Sequence, residues 1–438
     1  MTLATPITVI RGRFLDIQKT VAQANQIADQ VRYLEDGVLI TEQGKIRWFG
    51  TWNDAQDHLP INIEIQHYPE QLIIPGMIDT HIHFPQTEMV GAYGEQLLSW
   101  LNTYTFPTEI QFKNKAYASE IAKFFVNELL KNGTTTALVF CTVHPESVDA
   151  LFEAAEQHQM RLIAGKVMMD RHAPEALCDS ADSSYDDSKA LIEKWHGQGR
   201  ALYAITPRFA PTSTPEQLER AGQLKAEYPD VYVHTHLSEN KDEIAWVKDL
   251  FPAQKGYLDV YHHYGLTGQR SVFAHCVHLE DAEWQCMHET DSAIAFCPTS
   301  NLFLGSGLFP LNKTWQQQVK VGLGTDVGAG TSFSLLQTVN EAYKVQQLQG
   351  DKLSAYESLY HATLGGAKAL DLDDKLGNFN VGKEADFVVL NLKPTALQQL
   401  RQSRSKSLED SLFALFTMGD DRNVEATYIY GQKAYSQS

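Results

Sequence analysis

The chain has 438 residues, of which 43% are hydrophobic and 21% charged, and no tract is compositionally biased. This is the composition of an ordinary globular protein, and the length predicts one large core with a smaller second domain. The formal net charge of −18 opposes electrostatic binding to nucleic-acid phosphates or to anionic lipid. We therefore expect neither a nucleic acid nor a membrane as partner.

No segment of the sequence predicts secretion or a membrane span. Residues 1–17 lack a basic stretch ahead of an apolar run, and no later window reaches 18 apolar residues. The cysteines are odd in number and show no CxxC spacing, which argues against a disulfide framework or a cysteine-rich zinc site. They are Cys141, Cys178, Cys276, Cys286 and Cys297. A reducing, cytoplasmic location is expected.

Between about Asp79 and Gly365, short apolar or β-branched runs alternate with segments of helical period, a pattern that predicts βα units and a parallel sheet. Eight strands are predicted, at residues 77–83, 134–140, 161–170, 201–209, 231–239, 271–276, 292–298 and 319–326. Eight such units predict a TIM-type (β/α)8 barrel, an α/β fold whose chemistry lies at the carboxyl ends of the strands.

Two segments between these strands predict amphipathic helices. The first ends at Gly133, a good residue for a helix C-cap, and its predicted buried face is Tyr117, Ile121, Phe124 and Phe125. The second has the predicted buried face Val148, Leu151, Phe152 and Ala155.

The two ends of the chain predict further strands at 7–17, 36–50, 384–392 and 426–435, with a hairpin turn around Gln43 and Gly44. We expect these strands to form one small β-sandwich domain. The predicted division of the chain is residues 1–75 plus 380–438 for the β domain and residues 76–379 for the barrel.

His81 and His83 end the first barrel strand in the stretch PGMIDTHIHFPQ. Strand alternation points residues i and i+2 to the same side, so the two imidazoles can converge on one metal ion. An isolated pair among 16 histidines is more often explained by ordinary hydrogen bonds. The other predicted strand ends, however, add His236, His275 and Asp326 on the same rim, and this convergence predicts a metal site.

Imidazole and carboxylate ligands without a thiolate suit zinc, with iron(II) as the alternative. A second metal in such barrels usually needs a carboxylated lysine at the end of strand 4, which here reads ITPRFAP. Lys166 lies on strand 3, where we expect a structural ion pair. One Zn²⁺ per chain is therefore predicted, and a lone metal can supply hydroxide at neutral pH by lowering the pKa of its bound water.

Glu239, three residues after His236 in HTHLSEN, is the predicted proton carrier for a hydrolysis at this metal. The alternative is a solvated glutamate that opens the next helix, where an acid is favourable.

Several longer motifs carry a resemblance to a known family. They are PGMIDTHIHFPQ, LLSWLNTYTFPTE, TTTALVF, GKVMMDR, TPRFAPTS, HTHLSEN, AHCVHL, AFCPTSNLFLGSG and GTDVGAG. Together they resemble the guanine deaminases of the amidohydrolase superfamily over essentially the whole chain. An HxH motif with a late aspartate identifies only the superfamily, whereas the HIHxPQ, LLxWLxxYTFP and PRF blocks are much narrower.

The resemblance implies roles for individual residues. The implied metal ligands are His81, His83, His236 and Asp326. The implied catalytic residues are Glu239, Asp326 and His275, the last beside the metal-bound water. The implied substrate-binding residues are His83, Gln86, Arg208, Phe209, His236, Glu239 and Asp326. Physically, Arg208 can donate to the guanine carbonyl, Gln86 to a ring edge, and Phe84 or Phe209 can stack. The alternatives are an ion-pair role for the arginine and core positions for the phenylalanines.

The implied reaction is hydrolytic deamination of guanine to xanthine and ammonia in purine catabolism or salvage, by a mononuclear metal-hydroxide mechanism. Attack falls on C2 while Glu239 protonates N3, and the segment 85–107 is expected to cover the site. The resemblance also implies a homodimer. Competing interpretations are a deaminase or chlorohydrolase for cytosine, a triazine or an adenosine derivative, and a non-enzymatic scaffold, which would be expected to have lost its metal ligands.

Overall fold

The structure, a computed structural model, describes residues 7–93 and 97–437. Its strands are β1 (Thr8–Ile17), β2 (Val31–Glu42), β3 (Lys45–Thr51), β4 (Ile65–Pro75), β5 (Met77–His83), β6 (Thr134–Phe140), β7 (Arg161–Gly165), β8 (Val167–Met168), β9 (Leu202–Pro207), β10 (Tyr232–Leu237), β11 (Ser271–His275), β12 (Ala293–Phe296), β13 (Lys320–Leu323), β14 (Phe387–Leu390), β15 (Val424–Ile429) and β16 (Gln432–Ser436).

The α-helices of the same ranges are α1 (Trp52–Ala55), α2 (Leu97–Trp100), α3 (Phe106–Glu109), α4 (Lys115–Lys131), α5 (Pro145–Glu156), α6 (Ala181–Trp195), α7 (Pro215–Glu227), α8 (Lys241–Leu250), α9 (Tyr257–His263), α10 (Asp281–Glu289), α11 (Pro298–Phe303), α12 (Leu311–Gln317), α13 (Leu335–Leu348), α14 (Ala355–Ala362), α15 (Leu364–Ala369), α16 (Ala396–Gln402) and α17 (Leu408–Met418). A π-helical turn, Leu101–Thr105, joins α2 to α3. No helix in the described ranges is long and apolar enough to cross a membrane.

Strands β5 to β13 form a parallel sheet in the order β13, β12, β11, β10, β9, β7, β6, β5, with the short β8 paired to β9. The sheet closes where the hydroxyl of Thr80 on β5 donates to the carbonyl of Leu323 on β13 at 3.0 Å. Beyond that point the amide of Asp326 donates to the carbonyl of His81 at 2.9 Å. The predicted (β/α)8 barrel is therefore confirmed.

The barrel strands are almost entirely buried because helices cover their outer face and side chains fill the interior. The predicted strands 77–83 and 134–140 agree with the structure residue for residue. The predicted strand 161–170 is interrupted at Lys166, which forms the expected ion pair, with Asp179. Gly165, just before the break, is required because a Cβ there would lie 1.6 Å from the carbonyl oxygen of Ala204 on β9.

Helix α4 begins after Asn114, whose side chain accepts hydrogen bonds from the amides of Ala116 and Tyr117. Its predicted buried face is partly wrong, because Phe124 is 54% exposed whereas Phe125 is buried. The buried face runs through Ala118, Ala122, Phe125, Val126, Leu129 and Leu130. Small residues one turn apart let the helix approach its neighbours, and this geometry turns the adjacent position 124 to solvent. All four residues predicted for the buried face of α5 are buried.

Both chain ends contribute to the second sheet, in the order β16, β15, β14, β4, β1, β2, β3. This single sheet is curled, so that the β2–β3 turn at Gly44 and the β15–β16 turn at Gly431 lie on either side of Ala385. The amide of Ala385 donates to the carbonyl of Gly44, and the amide of Gly431 donates to the carbonyl of Ala385, each at 2.8 Å. The predicted strand 426–435 is such a hairpin, turning at Tyr430 and Gly431, which both have positive φ angles. Helix α17 lies between β14 and β15 in the chain, within the range 380–438 predicted for the β domain, yet it packs against α13 and α14 of the barrel. The predicted domain boundaries therefore stay a prediction.

A buried cluster of ion pairs joins this sheet to the barrel at the end opposite the metal-type residues. Arg161 begins β7 and Arg200 precedes β9, so both lie at the amino-terminal rim. Arg161 pairs with Glu384 at 2.5 Å, and Arg200 pairs with Glu384 at 2.6 Å and also with Asp386. Removing one partner would leave a buried charge uncompensated.

Arg200→Met is therefore expected to lower the free energy of unfolding by about 3–5 kcal/mol, the usual cost of breaking a buried ion pair. Chemical denaturation measures this change. Arg220→Met is the matched control, because Arg220 pairs with Asp182 on the exposed surface, where ion pairs contribute little. Equal effects of the two substitutions would show that the buried cluster does not stabilise the fold.

Candidate metal and substrate site

Four side chains from three parts of the barrel rim converge on one point. His81 and His83 lie on β5, His236 lies on β10, and Asp326 follows β13. Carboxylate oxygen Oδ1 of Asp326 is 3.1 Å from Nε2 of His81 and 3.3 Å from Nε2 of His83. Nε2 of His83 is in turn 3.2 Å from Nε2 of His236. His275, on β11, lies beside this group, with its Nε2 3.8 Å from Oδ2 of Asp326.

The backbone at several strand ends is left-handed where the chain turns into the site. Ser238, His275 and Asp326 have φ angles of 50°, 72° and 50°. Residues with a side chain adopt this conformation at an energetic cost, and such strain is concentrated at functional sites. It also explains why the predicted strands 231–239 and 319–326 end earlier in the structure, at Leu237 and Leu323.

Hydrogen bonds fix the tautomers of two of these histidines. Nδ1 of His236 donates to the carbonyl of Arg208 at 2.7 Å, and Nδ1 of His275 donates to Oδ1 of Asn301 at 2.9 Å. Because these oxygens only accept, both Nδ1 atoms carry a proton, and both Nε2 atoms face the centre of the site.

Burial keeps the imidazoles neutral, lowering the pKa of His83 to about 3 and that of His236 well below its usual value. Burial alone would raise the pKa of Asp326, but the neighbouring His81 and His83 outweigh it and hold this pKa well below the ordinary range. The centre therefore offers neutral imidazoles and a carboxylate, the protonation states that metal ligands require.

The residues present fit a divalent cation. Nε2 of His81 is buried and has no hydrogen-bond partner in the described chain, although it faces the Asp326 carboxylate. Imidazole and carboxylate donors without a thiolate are typical of zinc and iron(II) sites. In the described ranges, His81, His83 and His236, and likewise His81, His275 and Asp326, bring ligand atoms within 4.8 Å of one another. We identify this cluster as a candidate metal site.

A small, partly open pocket lies beside the cluster. Its walls include most of the site residues expected from the sequence together with apolar side chains of the segment 85–107. The lining residues are His83, Gln86, Trp100, Leu101, Arg208, Phe209, His236, Glu239, Glu243, His275, Leu304, Asp326 and Ala329. Trp100 and Leu101 come from the segment expected to cover the site. Residues 94–96 of that segment lie outside the described ranges.

Glu109 is a site residue for which the sequence analysis proposed no role. Its buried carboxylate accepts from Nη1 of Arg208 at 2.7 Å and from Nε2 of Gln86 at 3.2 Å. Arg208 therefore forms the ion pair considered as its alternative role and still lines the pocket. The amide of Gly328 donates to Oε1 of Gln86 at 3.1 Å, which fixes the Gln86 side chain from its other side. Glu109 ends the motif LLSWLNTYTFPTE, just after the segment 85–107, so its place in that motif was the available signal.

Glu239 is buried against the cluster, so the solvated glutamate considered as its alternative is wrong. Its Oε1 accepts from the hydroxyl of Ser306 at 3.0 Å, and its Oε2 is 3.5 Å from Nε2 of His275. Burial, with the negative charge of Asp326, raises the pKa of Glu239 to about 8, although the Ser306 hydrogen bond opposes the shift. The acid that opens helix α8 is instead Glu243, which accepts from the amides of residues 239 and 240.

Phe84 does not reach the pocket, so the stacking role considered for it is wrong. Its ring packs against Phe112 and Phe125, with centroids 5.0 and 5.5 Å away, and it is fully buried in the core. Phe209 does line the pocket. Asn301 and Ser306, which position His275 and Glu239, both belong to AFCPTSNLFLGSG, a motif noted in the sequence without a role for either residue.

Residues 72–434 match the model of the amidohydrolase family. The chain belongs to this family, whose members are metal-dependent, which accords with the candidate metal site. Several relatives that match most of the chain are guanine deaminases. The Escherichia coli (strain K12) guanine deaminase is 62% identical over 432 residues, which are 99% of this chain and 98% of the relative.

Two crystal structures of guanine deaminases are similar over the whole fold. That from Bradyrhizobium japonicum is 40% identical with a TM-score of 0.95, and the match covers 99% of this chain and 100% of the other. That from C. acetobutylicum, with bound guanine in the active site, is 31% identical with a TM-score of 0.88, and the match covers 98% and 100%. The resemblance to this branch of the amidohydrolases, expected from the motifs, is confirmed.

Protein purified without a chelator is expected to contain about one divalent metal ion per chain, because the candidate ligands form one connected cluster. His236→Ala should lose most of this metal, as measured by elemental analysis. His361→Ala is the matched control, since His361 is buried but lies on α14, outside the cluster. Two tightly bound metals per chain would contradict a mononuclear site.

Proposed function

We propose that this chain catalyses the hydrolytic deamination of guanine to xanthine and ammonia in the pocket described above. One observation carries the proposal: the candidate metal cluster adjoins a single pocket that is also lined by the buried side chains of Glu239, Arg208 and Gln86. The whole-chain similarity to guanine deaminases supports the same reaction. The proposed substrate is a purine base, and the reaction class is hydrolysis of the exocyclic C–N bond that joins the amino group to ring atom C2.

In this proposal His81, His83, His236 and Asp326 hold one zinc ion, with iron(II) as the alternative. When bound, the metal supplies an activated water for attack on C2 of the purine. The neutral imidazoles and the ionised Asp326 are already in the protonation states that metal ligands require. His275 lies beside the ligands, with Nδ1 held by Asn301 and Nε2 facing Asp326, and from there it orients the reacting water.

Glu239 carries protons between water and substrate. Its carboxyl group lies between Ser306 and His275 at the edge of the pocket, close to the metal-type cluster but outside the ligand set. From there it donates a proton to N3 as attack on C2 proceeds, and Asp326 assists by accepting a proton from the water. The proton accepted by Asp326 then passes to the exocyclic nitrogen, which leaves as ammonia when its bond to C2 breaks. Glu239 regains a proton from the new hydroxyl group, which becomes the C2 carbonyl of xanthine.

Arg208, Gln86 and Phe209 bind the base. Guanine is neutral, flat and polar at its edges, so its recognition needs in-plane hydrogen bonds and an apolar contact for the ring face. Arg208 uses one amino group on Glu109 and has further N–H groups for the carbonyl O6, while Gln86 retains an N–H for the ring edge. Trp100 and Leu101 limit access of bulk water, which strengthens these contacts.

We further propose that the enzyme works in purine catabolism or salvage in the cytoplasm, as a homodimer. The cysteines support a reducing compartment, because all five are free. The proposal of a homodimer rests on the family resemblance seen in the sequence.

Glu239→Gln keeps the shape of the side chain but removes the proton carrier. The variant is expected to bind the metal normally while its turnover of guanine falls by roughly 10² to 10⁴. Steady-state kinetics, with metal content measured on the same preparation, separates the two effects. Turnover close to that of the unsubstituted enzyme would remove Glu239 from the mechanism.

Arg208→Met tests the substrate, using guanine, 2-aminopurine, adenine and cytosine with ammonia release as the readout. The unsubstituted protein is expected to prefer guanine. In the variant, kcat/KM for guanine should fall by about ten to several hundred fold, because a charge-assisted hydrogen bond of roughly 1.5–3 kcal/mol is lost. Activity on 2-aminopurine, which lacks the carbonyl, should fall far less.

Equal losses on guanine and 2-aminopurine at normal metal content would make Arg208 a structural residue of the pocket wall. A preference of the unsubstituted protein for adenine or cytosine would overturn the guanine assignment itself.

A further inference from the structure

His234 lies inside the barrel, two residues before His236 on β10, and its side chain is fully buried. It neither lines the pocket nor belongs to the candidate metal cluster. Its Nε2 is 2.8 Å from Nδ1 of His81, and its ring is packed against Phe140, with ring centroids 4.3 Å apart. A buried histidine is thus in direct contact with the back of a candidate metal ligand.

The two ring nitrogens can share only one proton, and the position of that proton decides what His81 can do. If Nδ1 of His81 holds the proton, it donates to His234, and Nε2 of His81 is free to bind a metal. If Nε2 of His234 holds it, Nδ1 of His81 accepts, and the proton of neutral His81 lies on Nε2, where it blocks the metal.

The arrangement that permits metal binding leaves His234 with its own proton on Nδ1. That nitrogen is buried and has no hydrogen-bond partner in the described chain. An unpaired buried N–H is unfavourable for folding. The side chain of His234 thus lowers the stability of the fold, and the contact with His81 is the function that accounts for a histidine at this position.

We infer that His234 is a positioning residue for the metal site, accepting the Nδ1 proton of His81 so that Nε2 of His81 faces the metal. The inference rests on the proposed metal site. Ligating histidines generally need such a partner for the other ring nitrogen, and loss of the partner typically weakens metal binding by 10–100-fold. His236 has its partner in the Arg208 carbonyl, and His81 has no other partner at Nδ1 among the hydrogen bonds of the described chain.

The test compares His234→Gln with His234→Asn and His234→Leu. A glutamine amide oxygen reaches the position of Nε2 and can accept from His81, whereas an asparagine amide falls short, near Nδ1, and leucine cannot accept at all. Affinity for Zn²⁺ is measured by competition with a chromophoric chelator, and the thermal midpoint of each metal-free protein is measured in parallel. His361→Leu is the control, since His361 is buried, its Nε2 has no hydrogen bond within the described residues, and it lies outside the site.

The asparagine and leucine variants are expected to bind Zn²⁺ about 10–100-fold more weakly, the glutamine variant within a few fold of the unsubstituted protein, and the control equally well. The metal-free leucine variant should be at least as stable as the unsubstituted protein, because the unpaired N–H is gone. If the leucine variant does not fold, the glutamine and asparagine pair decides. If the glutamine and asparagine variants bind Zn²⁺ equally well or equally weakly, the inference is overturned. Failure of the unsubstituted protein to bind Zn²⁺ would instead refute the metal proposal beneath it.

Discussion

The candidate site depends on the closure of the barrel between its first and last strands. Strand β13 is short, and the chain beyond it is fixed to β5 by the amide of Asp326 on the carbonyl of His81. The buried carboxylate of Asp79 on β5 also accepts from the amide and hydroxyl of Thr325. These bonds determine where residue 326 stands relative to His81 and His83, so one set of contacts both removes the free edges of the sheet and assembles the ligands.

The interior of the barrel imposes a second condition, since most buried polar groups in proteins are hydrogen-bonded. Burial lowers the pKa of His81, His83 and His236, so these rings are neutral and each carries its proton on one of the two ring nitrogens. Nδ1 of His236 donates to Arg208 and Nδ1 of His275 to Asn301, whereas Nδ1 of His81 has only His234 among the described residues. The lone pairs that remain point to a common centre, so the site is organised before a cation binds, and little rearrangement is needed when it does.

At both ends of the barrel, buried arginines are neutralised by carboxylate partners. At the carboxyl end, Glu109 neutralises Arg208, so the pocket presents directed N–H groups to a neutral base without an excess of positive charge. At the amino end, Arg200 is neutralised by Glu384 and Asp386, and that pairing attaches the second sheet. Under the proposed assignment, specificity in the pocket comes from the direction of hydrogen bonds, a stricter criterion than attraction between charges.

The sequence by itself determined the barrel strands, such as 77–83, and the polar residues at their ends, because alternation and apolar runs are local properties of the chain. Only the tertiary structure decided which polar groups meet. Glu109 reaches Arg208 from a different segment, and His234 opposes His81 across the barrel interior. Phe84 likewise faces the core because its packing partners lie on other elements. Such pairings depend on how the strands and helices are arranged in space, which no local period of the sequence encodes.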